Sequence, residues 1–395
     1  MTDAQVKAVR ELLPVTRRYV YLNHASNGSL AVPVVEAMNG YIERCSLHGE
    51  VPYPEAEAVV EDCREMAARL MGVRTDEIAF VKNTSAGAII AIGSIEWQHG
   101  DNMIMMRDAF PTNTYPFDFL LPHVEKRHVT SAELAKGPEC VFKLMDRHTR
   151  AIAIDWVHFL SGARADIIAI AAFCRTRAIH ILLDAMQGLG AVDQSFGDLG
   201  IDFVYAGGGK WLLGPQGSGI LYVNSAILPN LKPANLGWLS AKWDDFNDIY
   251  TPKPMKPGAS RFEEGTKNYV GIYGLRESLR ILLDAGMSEV AARVRMLVQL
   301  LRRRLAEKGF ETLTPADPQR HAGVIDAHKQ GVDMVALFAR LKEQGFICSL
   351  RENRLRIAPH FYNTEEEIER FCAVLPERQE KGPRVLGSRD SGQTS

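Results

Sequence analysis

The chain's 395 residues include 46 Lys+Arg and 48 Asp+Glu, a formal net charge of −2, with 46% hydrophobic and 24% charged residues. That length provides for two or three domains and a large core, and the composition is that of an ordinary globular protein. The near-balanced charge excludes a nucleic-acid footprint or attraction to an anionic membrane, and the sequence shows no bilayer-spanning apolar run and no signal-peptide apolar region.

Residues 1–20 read as a short helix stopped by Pro14, with a strand following at 19–22. The polar turn Asn23-His-Ala-Ser-Asn-Gly28 leads into a helix over about 33–48, where Pro33 suits the first turn. A second helix over 54–71 places Val59, Val60, Cys63, Met66, Ala67 and Leu70 at helical spacing, and Gly72 closes it. Strand and helix then alternate. Apolar strands are expected at 78–82, 103–107, 151–156, 179–184, 203–206 and 219–223, with an apolar helix opening at Asn83-Thr-Ser85. Such continuous apolar strands predict a mostly parallel sheet covered on both faces.

The stretch 225–260, rich in Pro, Trp and Asp, reads as a long loop. An Arg-rich amphipathic helix is expected over about 285–308, its Arg302, Arg303 and Arg304 on a solvated face, and another helix over 332–344. Residues 346–350 and 354–358 resemble a hairpin, and a last helix starts at the capping box Thr364-Glu-Glu-Glu367. The expected domains are a large one at 21–260 and a smaller α+β one made of 1–20 and 261–378, with a disordered tail at 379–395. The six cysteines (Cys45, Cys63, Cys140, Cys174, Cys348 and Cys372) lack disulfide or metal spacing, which points to core thiols in a reducing cytoplasm and to no metal site.

Chemistry concentrates in Asp202-Phe-Val-Tyr-Ala-Gly-Gly-Gly-Lys210-Trp-Leu-Leu-Gly-Pro-Gln-Gly217. A lysine in so apolar a segment, behind glycines that permit unusual backbone conformations or close approach, is a candidate amine for a carbonyl cofactor. A nucleotide-binding P-loop would need a glycine five residues before Gly-Lys and a Ser or Thr after the lysine; Val204 and Trp211 stand there instead. Together with Leu183-Asp-Ala-Met-Gln-Gly-Leu-Gly190 and Gly200-Ile-Asp-Phe203, the block resembles the pyridoxal 5'-phosphate (PLP) enzymes of aminotransferase class V over roughly residues 19–375. That group includes cysteine desulfurases, C–S lyases, isopenicillin N epimerase-like proteins and kynureninases.

The resemblance implies PLP-dependent transferase fold type I, and it assigns roles. Lys210 would hold the cofactor as a Schiff base and move protons. Asp184 would keep the pyridine nitrogen protonated, and Gln187 would bond the ring's phenolic oxygen. Thr84 and Ser85 would bind the phosphate, and Phe110 would stack on the ring. Thr266, in Phe262-Glu-Glu-Gly-Thr266, would reach the phosphate of a neighbouring subunit, implying a homodimer with shared active sites. Arg356 would clamp the substrate carboxylate.

Three departures from the family's desulfurases narrow the reaction. Gly207-Gly-Gly209 replaces a hydroxyl and an imidazole before the lysine, Phe110 replaces a titrating histidine, and Cys348 lies only eight residues before Arg356, inside an apolar run. Trp156 is expected to make the pocket wall more apolar. The expectation is a cytoplasmic PLP enzyme acting on a small amino acid, as a lyase (C–S or other β-elimination) or an aminotransferase. A racemase or epimerase, a kynureninase-like hydrolase, and a catalytically silent regulatory protein of the same fold are the alternatives.

Overall fold

The computed structural model describes residues 1–377. The tail expected at 379–395 lies outside the described residues. Twelve strands are found among these: β1 (Val20–Tyr21), β2 (Ile78–Val81), β3 (Asn102–Met106), β4 (Glu125–Val129), β5 (Thr149–Asp155), β6 (His180–Asp184), β7 (Phe203–Gly207), β8 (Gly219–Val223), β9 (Ile325–Ala327), β10 (Phe346–Ile347), β11 (Ser349–Arg351) and β12 (Arg354–Ile357). Seven of them form the main sheet in the order β2-β8-β7-β6-β5-β3-β4. Only β8 runs against its neighbours, so the sheet is mostly parallel, as fold type I requires.

Alternation along each strand divides the side chains between two cores. Ile152 and Ile154 of β5, with Ile181 and Leu183 of β6, face the larger core, which holds the helices Tyr53–Met71 and Ile167–Cys174. Ala151, Ala153 and Leu182 face the other, beneath the apolar helix Thr84–Ser94. That helix lies tight on β7: a Cβ at Gly87 would come within 2.5 Å of the Tyr205 Cβ. Gly87→Ala is therefore expected to destabilise the protein by about 1–2 kcal/mol, overpacking outweighing the better helix propensity, as urea unfolding would show.

Two elements differ from the sequence expectation. Residues 346–358 do not make one hairpin. Ser349–Arg351 pairs antiparallel with Arg354–Ile357 around Glu352 and Asn353, both at positive φ, but Phe346–Ile347 pairs parallel with the N-terminal strand Val20–Tyr21. The break falls at Cys348, which is buried in the third core with Phe346, Leu355 and Ile357. The helix Tyr269–Ala285 carries no clear sequence signal, because Gly271 and Gly274 weaken its propensity. Gly274 is needed there: a Cβ would come within 2.8 Å of the Met38 side chain on the neighbouring helix Val32–His48. Its Ile272, Leu275, Leu279 and Leu282 pack into the larger core.

Pairing continues past β1. Leu22 donates to the Ile347 carbonyl (2.7 Å) and Ala358 donates to the Leu22 carbonyl (2.7 Å), so the N-terminal segment runs between β10 and the end of β12. This brings the turn 23–28 to the carboxyl ends of the parallel strands, where open α/β sheets bind ligands. No helix among the described residues is long and apolar enough to cross a membrane.

Candidate active site

Five chain segments meet where β2, β3, β5, β6 and β7 end. Lys210 follows β7 by three residues, in a turn closed by Leu213 donating to the Lys210 carbonyl (3.1 Å) and Gly214 to the Gly208 carbonyl (2.9 Å). None of Gly207, Gly208 and Gly209 has a positive φ. Space is what they provide, since a Cβ at Gly208 would come within 2.8 Å of the Ser218 hydroxyl. Gly28 docks onto the same turn, its amide donating to the Gly209 carbonyl (2.8 Å). Any Cβ there would sit 2.2 Å from the Lys210 carbonyl.

Lys210, Asp184, Gln187, Thr84 and Phe110 line one cleft of about 70 Å³, together with Thr112, Asp155, Val157, Phe159 and Met186. An adjoining cavity of about 230 Å³ shares Thr84, Met186 and Lys210 and adds the turn residues Ser26 and Asn27. Lys210 Nζ lies 5.6 Å from the centre of the Phe110 ring and has no hydrogen bond or ion pair among the described residues. Burial lowers its pKa to about 8 against the pull of Asp184, with the Arg356 charge adding to the fall.

Asp184 ends β6 beneath this amine. Its carboxylate accepts from the Met186 amide (2.8 Å) and from Asn113 Nδ2 (3.0 Å). Burial raises its pKa above the ordinary carboxylate range, while those two donors and Lys210 favour the charge. Gln187 is oriented by its neighbours. The indole of Trp211 can only donate, so it fixes the Gln187 oxygen (2.8 Å), and Nε2 then donates to the Ala25 carbonyl (3.0 Å). One N–H of that amide remains for the cleft.

The helix Thr84–Ser94 points its N-terminus into the site. Asn83 caps it by accepting from the Ala86 amide (2.9 Å), which leaves the amides of Thr84 and Ser85 in the first turn without a partner among the described residues. The Thr84 hydroxyl accepts from the Gly207 amide and donates to the Met186 sulfur, both at 3.1 Å. Ser85 bonds Thr112 (3.0 Å) and does not line the cleft. Thr266 is not brought to Lys210 of its own chain. It lines a larger cavity of about 420 Å³ with Lys82, Gly217 and Asn268.

Arg356 stands beside the cleft rather than in its lining. Nε donates to Ser349 (3.1 Å), Nη1 to the Phe159 carbonyl (3.0 Å) and Nη2 to Ser26 (2.6 Å). All three acceptors are neutral, and this buried guanidinium has no acidic partner among the described residues. Burial and the nearby Arg351 lower its pKa to about 10. Trp156 is not a wall of the cleft, contrary to the sequence expectation. It is fully buried against Phe196, 5.3 Å between ring centres, and the aromatic wall is Phe159, stacked edge-on to Phe110 at 5.5 Å.

Sequence reasoning passes over Asp155 and Asn113. Asp155 carried the same signal as Asp184, an apolar strand ending in a carboxylate: Ala151-Ile-Ala-Ile-Asp155 beside His180-Ile-Leu-Leu-Asp184. Asn113 carried none, because its place between the two carboxylates depends on how the loop after β3 folds back.

The sequence model of aminotransferase class V matches residues 20–371. An uncharacterized aminotransferase YcbU of Bacillus subtilis is 28% identical over 367 residues, covering 91% of this chain and 94% of that protein. A probable cysteine desulfurase of Methanothermobacter thermautotrophicus is 27% identical over 401 residues, covering 95% of this chain and 99% of its own. In architecture the chain is similar to a C-DES mutant solved with glycine covalently linked to its PLP cofactor (TM-score 0.86, 22% identity, 92% of this chain and 98% of that one).

The cleft's chemistry fits PLP. An amine whose pKa is lowered to about 8, a buried carboxylate, unpaired helix amides with a hydroxyl, and an aromatic face are grouped as an aldehyde, a pyridine nitrogen, a phosphate and a flat ring require.

Proposed function

This chain belongs to aminotransferase class V and is a PLP-dependent enzyme acting on an amino acid, and on that premise we propose that it works by one-base chemistry at the α-carbon of a small amino acid, as a lyase or an aminotransferase. One observation carries the reading: among the described residues Lys210 is the only amine lining the cleft, and across from it stands Phe110, which cannot titrate. Inverting the α-carbon calls for a second acid–base group on the opposite face, which argues against racemisation or epimerisation.

When bound, PLP supplies an electrophilic carbonyl carbon and a ring that withdraws electrons from the substrate's α-carbon. Lys210, with a pKa of about 8, has a neutral fraction at physiological pH that can act as nucleophile and then accept the α-proton at Nζ. Asp184 would face the ring nitrogen, the free N–H of Gln187 the ring oxygen, and Phe110 the ring plane. Thr84 and the amides of Thr84 and Ser85 would hold the phosphate. Arg356 has five N–H groups and uses three on Ser349, Phe159 and Ser26, leaving two for a substrate carboxylate.

A protein-bound persulfide is not part of this reading. Cys348 lies in the core behind β12, and burial pushes its thiol up to about 12. Among the described residues no cysteine lines the cleft. The reading extends to a homodimer in which Thr266 reaches the partner's phosphate site, supported by its position outside its own chain's cleft. Free cysteines throughout the described residues support a cytoplasmic setting.

The test is a panel of L- and D-amino acids, with cysteine derivatives and kynurenine, mixed with holoenzyme. Pyruvate with ammonia, or an aminated keto acid, is the expected product. Formation of the opposite enantiomer, of anthranilate or of a protein persulfide would overturn the proposal, and so would a purified protein that takes up no PLP.

A further inference from the structure

We propose that Asp155 and Asp184 share a single negative charge, Asp155 keeping its proton while Asp184 carries the charge, with Asn113 as the amide that fixes the pair. The two residues stand side by side in register at the ends of adjacent parallel strands. Both are buried, and neither has a hydrogen-bonded cation among the described residues. One side chain serves both: Asn113 Nδ2 donates to Asp155 Oδ1 (2.6 Å) and to Asp184 Oδ2 (3.0 Å), using both of its N–H groups. Its orientation is set from behind, because the Tyr205 hydroxyl donates to Asn113 Oδ1 (3.0 Å).

Like charges at this spacing in a dry pocket disfavour double ionisation, so one proton stays. The donors decide where. Asp184 accepts from the Met186 amide (2.8 Å) and Asn113 (3.0 Å) and faces Lys210, whereas Asp155, beyond its 2.6 Å bond from Asn113, has only a long contact from the Phe110 amide (3.5 Å) and, among the described residues, no cation directly before it. The other groups facing Asp155 are the Asp108 carboxylate from the loop after β3, which also disfavours its charge, the neutral Tyr205 phenol from β7, and Lys210 beyond Asp184. Burial, then Asp184, holds the Asp155 carboxyl well above the usual range.

Asp155 is on this view a positioning residue. It anchors Asn113, which holds Asp184, and by staying neutral it limits the floor of the cleft to one anion. A second anion would pull the Lys210 amine toward its protonated form and remove the free base. Only this consequence rests on the function proposed above; the charge state belongs to the protein without cofactor.

The experiment uses that separation. Infrared difference spectra of the apo-protein between neutral and alkaline pH are expected to contain a carboxylic-acid carbonyl band that disappears on raising the pH and is missing from Asp155→Asn, whose amide matches the protonated acid in shape. No such band in the wild type, or its persistence in the variant, overturns the proposal. PLP binding followed across pH is expected to show, beside the inflection of Lys210 near pH 8, a further alkaline inflection in the wild type that Asp155→Asn lacks, and superimposable profiles would also overturn it. Should the variant fail to fold, absence of the band from the wild type still overturns the proposal.

Discussion

Lys210→Ala is expected to lower turnover by on the order of 10⁴-fold, the upper end of what a positioned acid–base group supplies, and to abolish the visible absorbance shift that PLP undergoes on binding the wild type. Added alkylamine should restore part of the rate if the lost group is an amine acting at the substrate. Retained turnover would refute the central role given to Lys210. The same side chain is also a burden on the fold. Its pKa is about 8 against 10.5 for an unperturbed lysine, so the protonated form is disfavoured in the folded state. At ~1.4 kcal/mol per pKa unit the full shift amounts to about 3.5 kcal/mol, and partial exposure reduces this to about 1–2 kcal/mol. The penalty is complete below pH 8 and disappears as the pH rises above the unfolded value. Lys210→Met apo-protein should accordingly unfold at higher urea than wild type at pH 7, with the difference closing toward pH 10.5. A stability gain independent of pH would mean that packing, not charge, is responsible.

Asp184→Asn carries the second largest effect. The amide keeps the size of the carboxylate and can still accept from Met186, but it cannot bear the charge that a protonated pyridine nitrogen needs nearby. A loss on the order of 10³-fold in kcat is expected, comparable to removing one preorganised electrostatic contact from an active site, together with weaker PLP binding and an altered spectrum of the bound cofactor. Asn113 would meet an amide where it now meets an oxygen, so one of the two hydrogen bonds that orient the Asp184 side chain is lost as well. Near wild-type kcat in this variant would remove Asp184 from the ring nitrogen.

Both experiments concern residues that were visible in the sequence, and the reason is local. Asp184 ends one apolar strand run and Lys210 follows another by three residues, and strands of a parallel sheet must end on the same side when helices return the chain, so their meeting follows from pattern and connectivity. Thr84 belongs to the same class, since a helix N-terminus after β2 lies on that edge. Elements whose signal is propensity or periodicity were also legible, among them the helices Val32–His48, Tyr53–Met71 and Glu365–Ala373 with its Thr364 capping box.

Other features depended on packing between distant segments. The helix Tyr269–Ala285 contains two glycines that lower its propensity, and Gly274 is kept because Met38 lies against it, a fact about a helix more than 200 residues away. The 346–358 stretch splits at Cys348 because the N-terminal strand competes for Phe346–Ile347, a partner no local pattern reveals. Trp156 and Phe159 are three residues apart, and only the turn between them determines which one faces the cleft.

By itself the sequence determined the family, through the resemblance of its motifs, and the main sheet, through short-range pattern, and it singled out Lys210 and Asp184 as the candidate amine and carboxylate. The tertiary structure alone decided that a second carboxylate stands in register beside Asp184, that one asparagine serves both, and how the Phe110 that the sequence offered is set against Lys210, 5.6 Å from amine to ring centre. These are matters of charge and proton placement at distances of 3–6 Å between residues far apart in the chain. Such distances are set only when the strands, and the loops that follow them, have closed over one another.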